Sequence, residues 1–195
     1  MSATPKTGPR IAPLAPPYSA AVATQLGRWM PPGAPLEPLV LFRVLCRNLP
    51  LAEAMRALGS FQLSKRSGLT RRQRELVIER TSGRLGAEYE WGVHAVAFAA
   101  AAGLNAADLA ATTAPGSRHW SGVDALVIRL VDALVDRRTI DDDLWDELAA
   151  VFTAEQLLEL VVLCGWYHLI GFVVNVAKLE PEPWAARFPT GSGVQ

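Results

Sequence analysis

The chain has 195 residues and a mass of 21.1 kDa, the size of one ordinary globular domain, which argues against two large domains. Half of the residues are hydrophobic and 19% are charged, so the composition supplies a core and excludes wholesale disorder. Nineteen Lys and Arg residues balance nineteen Asp and Glu residues, which disfavours a nucleic-acid-binding protein that relies on excess positive charge and permits self-association.

The N-terminal segment, residues 1–38, contains nine prolines, whereas Leu51–Glu180 contains only Pro115. Because proline lacks a backbone N–H and restricts the preceding residue, we expect a proline-rich N-terminal extension with one short helix around Tyr18–Trp29. Its apolar side chains predict packing on the core or on a neighbouring subunit. The prolines also interrupt any continuous apolar export signal.

From Leu36 onward the pattern is helical. Thr70 and Thr153 are each followed three positions later by glutamine, the capping-box spacing that opens a helix, and Gly103 is placed to end one. No stretch shows the alternation of a strand, so the predicted fold is all-α, with a helical domain over residues 39–180 and a tail over 181–195. The predicted helices are Leu36–Arg47, Leu51–Ser64, Arg71–Leu85, Glu88–Ala102, Ala106–Thr112, Val123–Val135, Asp142–Val151 and Ala154–Leu179.

The longest apolar stretch, Leu157–Ala177, has the length of a membrane span. Glu159, His168 and Asn175 interrupt it, and polar side chains in a membrane helix are costly. We therefore expect a buried core helix and no membrane.

Charge is concentrated in two segments. Lys65–Arg84 has seven basic and two acidic residues, and Asp132–Glu159 has nine acidic and two basic residues. The start of the basic segment is similar to the first helix of a helix-turn-helix, but the helix that should follow, from Glu88, is acidic and then apolar. No nucleic-acid partner is expected.

Glu90 and His94 are the first candidate for chemistry. Four positions apart on a helix, they lie about 40° from each other around its axis, so their side chains can meet, while Glu88 points to nearly the opposite side. A carboxylate in this position fixes the imidazole tautomer and raises its basicity. A purely structural buried pair remains the alternative. No further Cys or His cluster is near, so no metal is expected.

The two cysteines and the other histidines are weaker candidates. Cys46 and Cys164 are far apart in apolar segments and fit small core side chains in a reducing cytoplasm, not a zinc site or a disulfide framework. His119 is expected to be exposed in a loop. His168, inside the apolar helix, either lines a pocket or is structural.

A larger pattern joins these motifs. It consists of Leu69-Thr70-x-x-Gln73-Arg74-Glu75-Leu76-Val77-Ile78, then Gly86-Ala87-Glu88-Tyr89-Glu90-Trp91-x-x-His94, then Ala101-Ala102-Gly103-Leu104, and later Gly165-Trp166-Tyr167-His168. The pattern resembles the carboxymuconolactone decarboxylase family, which includes the AhpD-type alkylhydroperoxidases, over roughly Leu39–Asn175. The resemblance implies an AhpD-like helical fold that associates into a trimer, hexamer or dimer.

The AhpD-type branch carries Cys-x-Tyr-Cys-x-x-x-His with a relay glutamate on the preceding helix. On this chain the relay glutamate corresponds to Glu75, the tyrosine to Tyr89 and the histidine to His94, but the two cysteines correspond to Ala87 and Glu90. Without a dithiol, thiol peroxidase activity is not expected, and no cofactor is implied.

The resemblance therefore implies an enzyme that uses proton transfer on a small carboxylic acid or lactone. The expected catalytic residues are His94, Glu90 and Glu75. The expected substrate-binding residues are Tyr89, Trp91, Trp166, Tyr167 and His168. The alternatives are a non-enzymatic oligomeric ligand-binding protein, or a peroxidase-type oxidoreductase that the missing cysteine pair disfavours.

Overall fold

The computed structural model describes residues 8–30, 36–114, 116 and 118–190. Within them the chain forms nine α-helices and one 3₁₀ turn, and these residues contain no strand, which confirms the all-α prediction. The helices are α1 (Ala20–Trp29), α2 (Val40–Leu45), α3 (Leu49–Gln62), α4 (Arg71–Arg84), α5 (Glu88–Ala97), α6 (Ala106–Thr113), α7 (Gly122–Arg137), α8 (Asp142–Ala149) and α9 (Ala154–Ala177); the 3₁₀ turn is Ala100–Ala102.

Parts of three predicted segments lie outside the described residues. They are residues 1–7 and 31–35 of the predicted extension, Pro115 and residue 117 of the predicted loop, and residues 191–195 of the predicted tail.

Helix α4 lies at the centre of the fold and packs against α5, α6, α7 and α9. It begins at a capping box: the hydroxyl of Thr70 accepts the Gln73 N–H at 3.2 Å, and the Gln73 side chain accepts the Thr70 N–H at 2.8 Å. Every residue from Arg74 to Gly83 is buried although the helix is rich in polar side chains. The fold therefore encloses charged groups at its centre, which require partners there.

Arg80 is the largest of these enclosed side chains and is 0% exposed. Its Nε and Nη2 donate to the two carboxylate oxygens of Asp132 on α7, at 2.7 and 2.9 Å. Its Nη1 donates to the carbonyl oxygens of Ala111, Thr112 and Ala114 at the end of α6, at 3.3, 3.0 and 2.8 Å. One guanidinium thus joins α4 to both α6 and α7.

Helix α9 has an inner and an outer face. Leu160, Leu163 and Tyr167 are buried against the core. By length and composition α9 could also cross a membrane, and half of its most apolar window is buried inside the protein. The other face is exposed, and we call the line of Leu158, Val162, Gly165, Leu169, Phe172 and Val176 along it the outer stripe; Val161, beside this line, is exposed as well.

Two predicted helices end or begin elsewhere. The helix predicted from Leu36 begins at Val40, because the residue before a proline is disfavoured in α-helical geometry and Pro38 stands in this segment. The helix predicted over Glu88–Ala102 leaves α-helical geometry at Phe98, whose φ is −129°. The 3₁₀ turn follows and ends at Gly103 with a φ of +70°, a conformation that suits glycine.

The described part of the N-terminal extension lies on the helical core. The Arg10 N–H donates to the Ala177 carbonyl at 2.7 Å, and the Leu14 N–H donates to the Arg43 carbonyl at 3.3 Å. Leu26 of α1 is buried in the core cluster. The extension therefore contacts α2 and the end of α9 within one chain.

The C-terminal segment, residues 181–188, packs on α5. The Glu182 carboxylate accepts the Val40 N–H at 2.6 Å, and the Ala186 N–H donates to the Gly92 carbonyl at 3.2 Å. The approach at Gly92 is so close that a Cβ there would lie 2.1 Å from the Ala186 carbonyl oxygen. Only glycine allows this contact.

We expect Arg80→Ala to lower the free energy of unfolding by about 3–5 kcal/mol, because it leaves buried acceptors without their donor. The matched control is Arg129→Ala, which removes an exposed ion pair with Glu147. This control should leave the free energy of unfolding nearly unchanged. Urea unfolding followed by circular dichroism measures both. Equal small effects of the two substitutions would contradict the structural role of Arg80.

Candidate functional site

The imidazole of His94 is the centre of a buried polar cluster. His94 is 3% exposed, and its Nδ1 lies 2.8 Å from Glu75 Oε2 of α4. Its Nε2 lies 3.1 Å from the Tyr167 hydroxyl of α9 and 3.5 Å from Glu90 Oε1 of its own helix. The structure thus brings Glu75, Glu90 and His94 together, and Tyr167 completes the group.

The two carboxylates set the charge of His94. Burial alone lowers the pKa of His94, but the charges and hydrogen bonds of Glu75 and then Glu90 outweigh it and raise the pKa to about 10. Near neutral pH the ring is therefore an imidazolium, and both of its nitrogens carry protons. Nδ1 then donates to Glu75, and Nε2 faces Glu90 and the Tyr167 oxygen.

Glu79 is a fifth member of the cluster, and the sequence analysis missed it. It follows Glu75 by one turn of α4, is 0% exposed, and neither carboxyl oxygen has a hydrogen-bond partner among the described residues. Burial raises the pKa of Glu79 well above its usual range, and the positive charge of His94 only partly opposes this. Burial therefore favours the protonated, neutral form of Glu79. The signal for it was the spacing of two acids four positions apart on one helix.

A cavity of about 280 Å³ adjoins the cluster. Glu75 and Phe98 line the cavity, whereas His94 does not. The His94 ring packs against Phe98, with ring centroids 4.8 Å apart. Of the three predicted catalytic residues, Glu75 is the one that lines the cavity. The lining residues are Leu63, Arg71, Arg74, Glu75, Phe98 and Ala101.

Two aromatic residues of α5 lie away from this site, which corrects the predicted pocket lining. The Tyr89 hydroxyl donates to Glu182 at 2.6 Å and accepts the Leu41 N–H at 3.0 Å. Trp91 Nε1 donates to the Thr112 hydroxyl at 2.9 Å. Tyr89 is five positions before His94, about 140° around the helix axis, so it faces the C-terminal segment.

On α9 the prediction also needs correction for Trp166 and His168. Consecutive helical residues point about 100° apart, so only Tyr167 of this run faces His94. Trp166 packs on α3, where a Cβ on Gly59 would lie 3.1 Å from its ring. His168 packs edge-on against Phe172 of the outer stripe, with ring centroids 4.7 Å apart.

Neither cysteine belongs to the site. Cys46 and Cys164 are free and buried, and burial raises the pKa of both thiols. The family's two cysteine positions hold Ala87, before the first turn of α5, and Glu90. Within the described residues no group of three or more His, Cys, Asp or Glu side chains is arranged to hold a metal ion. The groups that do meet at His94 are two carboxyl groups and a phenol.

His119 is exposed in a loop, as predicted, and it is also paired. Its Nε2 lies 2.6 Å from Asp108 Oδ1 on α6. It therefore stabilises the start of α6.

Comparisons with known proteins agree with the helical fold. The model of the carboxymuconolactone decarboxylase family matches residues 50–132, which include Glu75, Glu90 and His94. No curated protein matches the chain. A crystal structure from Agrobacterium tumefaciens has a similar fold, with a TM-score of 0.60 and 20% sequence identity. The similarity covers 67% of this chain and 89% of that one. That protein is described as one of unknown function and as a candidate antioxidant defence protein AhpD. The helical core described here is therefore carboxymuconolactone decarboxylase-like in sequence and AhpD-like in fold.

Proposed function

We propose that this protein is an enzyme that transfers protons to and from a small carboxylic acid or lactone by general acid–base chemistry. The observation that carries the proposal is the continuous contact Glu75–His94–Tyr167, buried within the fold and joined to a cavity by Glu75. A carboxylate paired with an imidazolium holds a proton that can move in either direction.

Decarboxylation is the reaction that this site suits best. The bond between the substrate's carboxyl carbon and its neighbour breaks, CO₂ leaves, and the electron pair passes into an adjacent carbonyl as an enolate. The proton on Nδ1 of His94 then passes to the Glu75 carboxylate, and Glu75 delivers it to the enolate carbon. Water returns a proton to the neutral His94, and the hydroxide that remains leaves with the CO₂ as bicarbonate. Glu75 is the residue placed to meet the substrate, and His94 is the proton store behind it.

Glu90, Glu79 and Tyr167 support this exchange. Glu90 adds a second negative charge beside the imidazole, which favours its protonated form. Burial favours the neutral form of Glu79, which limits the negative charge enclosed with His94. Tyr167, whose pKa burial raises well above its usual range, stays protonated and orients the ring. Reduction of a hydroperoxide through a dithiol is not part of this proposal, because Ala87 and Glu90 cannot form a disulfide.

We also propose that the chain forms a homo-oligomer through the outer stripe of α9. The stripe follows alternating spacings of four and three residues along six positions, Leu158, Val162, Gly165, Leu169, Phe172 and Val176, which is the pattern of paired helices. Gly165, at its middle, has open space around it and lets a facing helix approach. Zero net charge leaves little repulsion between copies, so a second copy of this face is the partner that fits.

We expect Glu75→Gln and His94→Gln each to lower turnover about 10²–10⁴-fold, because each removes one step of the proton path. The measurement is CO₂ release from a panel of carboxy-lactones and keto acids, with uptake of one deuterium from D₂O at the carbon that loses CO₂. Glu88→Gln is the control, since Glu88 lies on α5 but contacts Phe188 and Arg187. A wild-type protein that binds but turns over no acid, or that reduces a hydroperoxide, would refute the proposal.

The raised pKa of His94 predicts a pH-dependent stability. A histidine whose pKa rises from its ordinary value of 6.5 in the unfolded chain to about 10 in the folded state stabilises the fold fully below pH 6.5, and this stability is lost as the pH rises through 10. The free energy of unfolding should fall by up to about 1.4 kcal/mol per pH unit across this range. Urea unfolding of His94→Gln should show a smaller slope; identical slopes would contradict the assignment.

For the oligomer, we expect Leu158→Glu together with Phe172→Glu to yield a smaller species by light scattering after gel filtration. The control is Trp145→Glu, an exposed apolar position on α8 outside the stripe. An unchanged mass of the double variant, or a wild-type monomer, would refute this interface, and recovery of the wild type only with membranes would assign the stripe to lipid instead.

A further inference from the structure

Two arginines share the wall of the cavity with Glu75. Arg71 and Arg74 stand three positions apart in the first turn of α4, so their side chains lie on the same face of the helix. Arg74 is buried: its Nη1 donates to the Ser64 carbonyl at 2.7 Å, but its Nε has no acceptor among the described residues. Arg71 is exposed at the rim and makes no ion pair within the described part of the chain.

The charges around the cavity do not balance. Glu75 is the single acid in its lining, and its oxygen is already engaged with His94. The two guanidiniums therefore lack a carboxylate of their own, and the N-terminus of α4 adds partial positive charge to the same end. A buried guanidinium nitrogen without an acceptor is costly, so an anion is the ligand that this end of the cavity suits.

The rest of the wall is apolar. Leu63, Phe98 and Ala101 contribute hydrocarbon surface to the same lining, and the volume of about 280 Å³ is at the small end of the range for ligand pockets. A ligand that fits therefore has an anionic head, a compact apolar body and few atoms.

We propose that the cavity is a binding site for a small organic carboxylate, held by Arg71 and Arg74 through its carboxylate and by Leu63 and Phe98 through its apolar body. Arg74 supplies the buried, directional contact, since a guanidinium offers a planar pair of donors to a carboxylate, and Arg71 closes the outer side. This orientation presents the ligand's body to Glu75. The inference rests on the proposed function for the chemistry at Glu75, but the binding site can be tested without turnover.

The test is calorimetric titration of the full chain with benzoate, and with benzamide as the neutral molecule of the same shape. We expect benzoate to bind and benzamide to bind at least about tenfold more weakly, because charge-assisted hydrogen bonds are lost. Arg74→Gln should weaken benzoate about tenfold or more, and Arg71→Gln by a smaller factor. Arg66→Gln removes a positive charge from the same segment outside the cavity and should have no effect.

Arg74 also supports the Ser64 carbonyl, so its variants are first compared with the wild type by thermal unfolding. If Arg74→Gln does not fold, Arg74→Lys and the exposed Arg71→Gln carry the test, and both should weaken benzoate. Equal binding of benzoate and benzamide, equal losses in the Arg66 variant, or complete displacement of benzoate by equimolar inorganic phosphate would overturn the proposal. Benzoate binding that depends on Arg74 in a protein without turnover refutes the proposed function alone. Turnover with unchanged benzoate affinity in Arg74→Gln refutes the carboxylate site alone.

Discussion

The burial of one guanidinium organises this fold. Charged groups are costly to enclose unless their hydrogen bonds are made, and Arg80 makes all of its contacts with α6 and α7. That arrangement lets a polar helix, α4, occupy the centre of an all-α protein. The same helix also buries Glu79, directly before Arg80, and Glu75, one further turn toward its start. Helix α4 therefore makes the central packing contacts of the fold and also carries two of the acids of the candidate site.

The chemistry of the site follows from which side chain stands one turn before His94. A thiol there exchanges electrons and forms a disulfide, whereas the carboxylate of Glu90 only alters the charge and proton affinity of the imidazole. We therefore expect proton transfer, and not thiol redox exchange, from this arrangement. The family match over residues 50–132 and the AhpD-like fold concern the helical scaffold. The reaction depends on which side chains the scaffold carries at the site.

Local rules accounted for much of the fold. Capping boxes at Thr70 and Thr153 marked the starts of α4 and α9, and helical spacing alone paired Glu90 with His94. Glu75 entered only through resemblance, because its contact with His94 joins two helices. Tyr89 was misplaced for the same kind of reason: its partner is Glu182, 93 positions later, and no local pattern encodes that contact. The cavity likewise depends on the break at Phe98, which repeating helical spacing does not predict.

The contact between Gly92 and Ala186 joins the candidate site to a segment far away in the sequence. Helix α5 carries Glu90 and His94, and residues 181–188 cover part of its surface. Without this segment Tyr89 would lose Glu182, its partner 93 positions away, and α5 would be held mainly through α4 and α9. Closing so long a loop costs conformational entropy, so the central helices can pack before this contact forms. The helix that carries His94 is therefore fixed in place by one of the most non-local contacts of the fold.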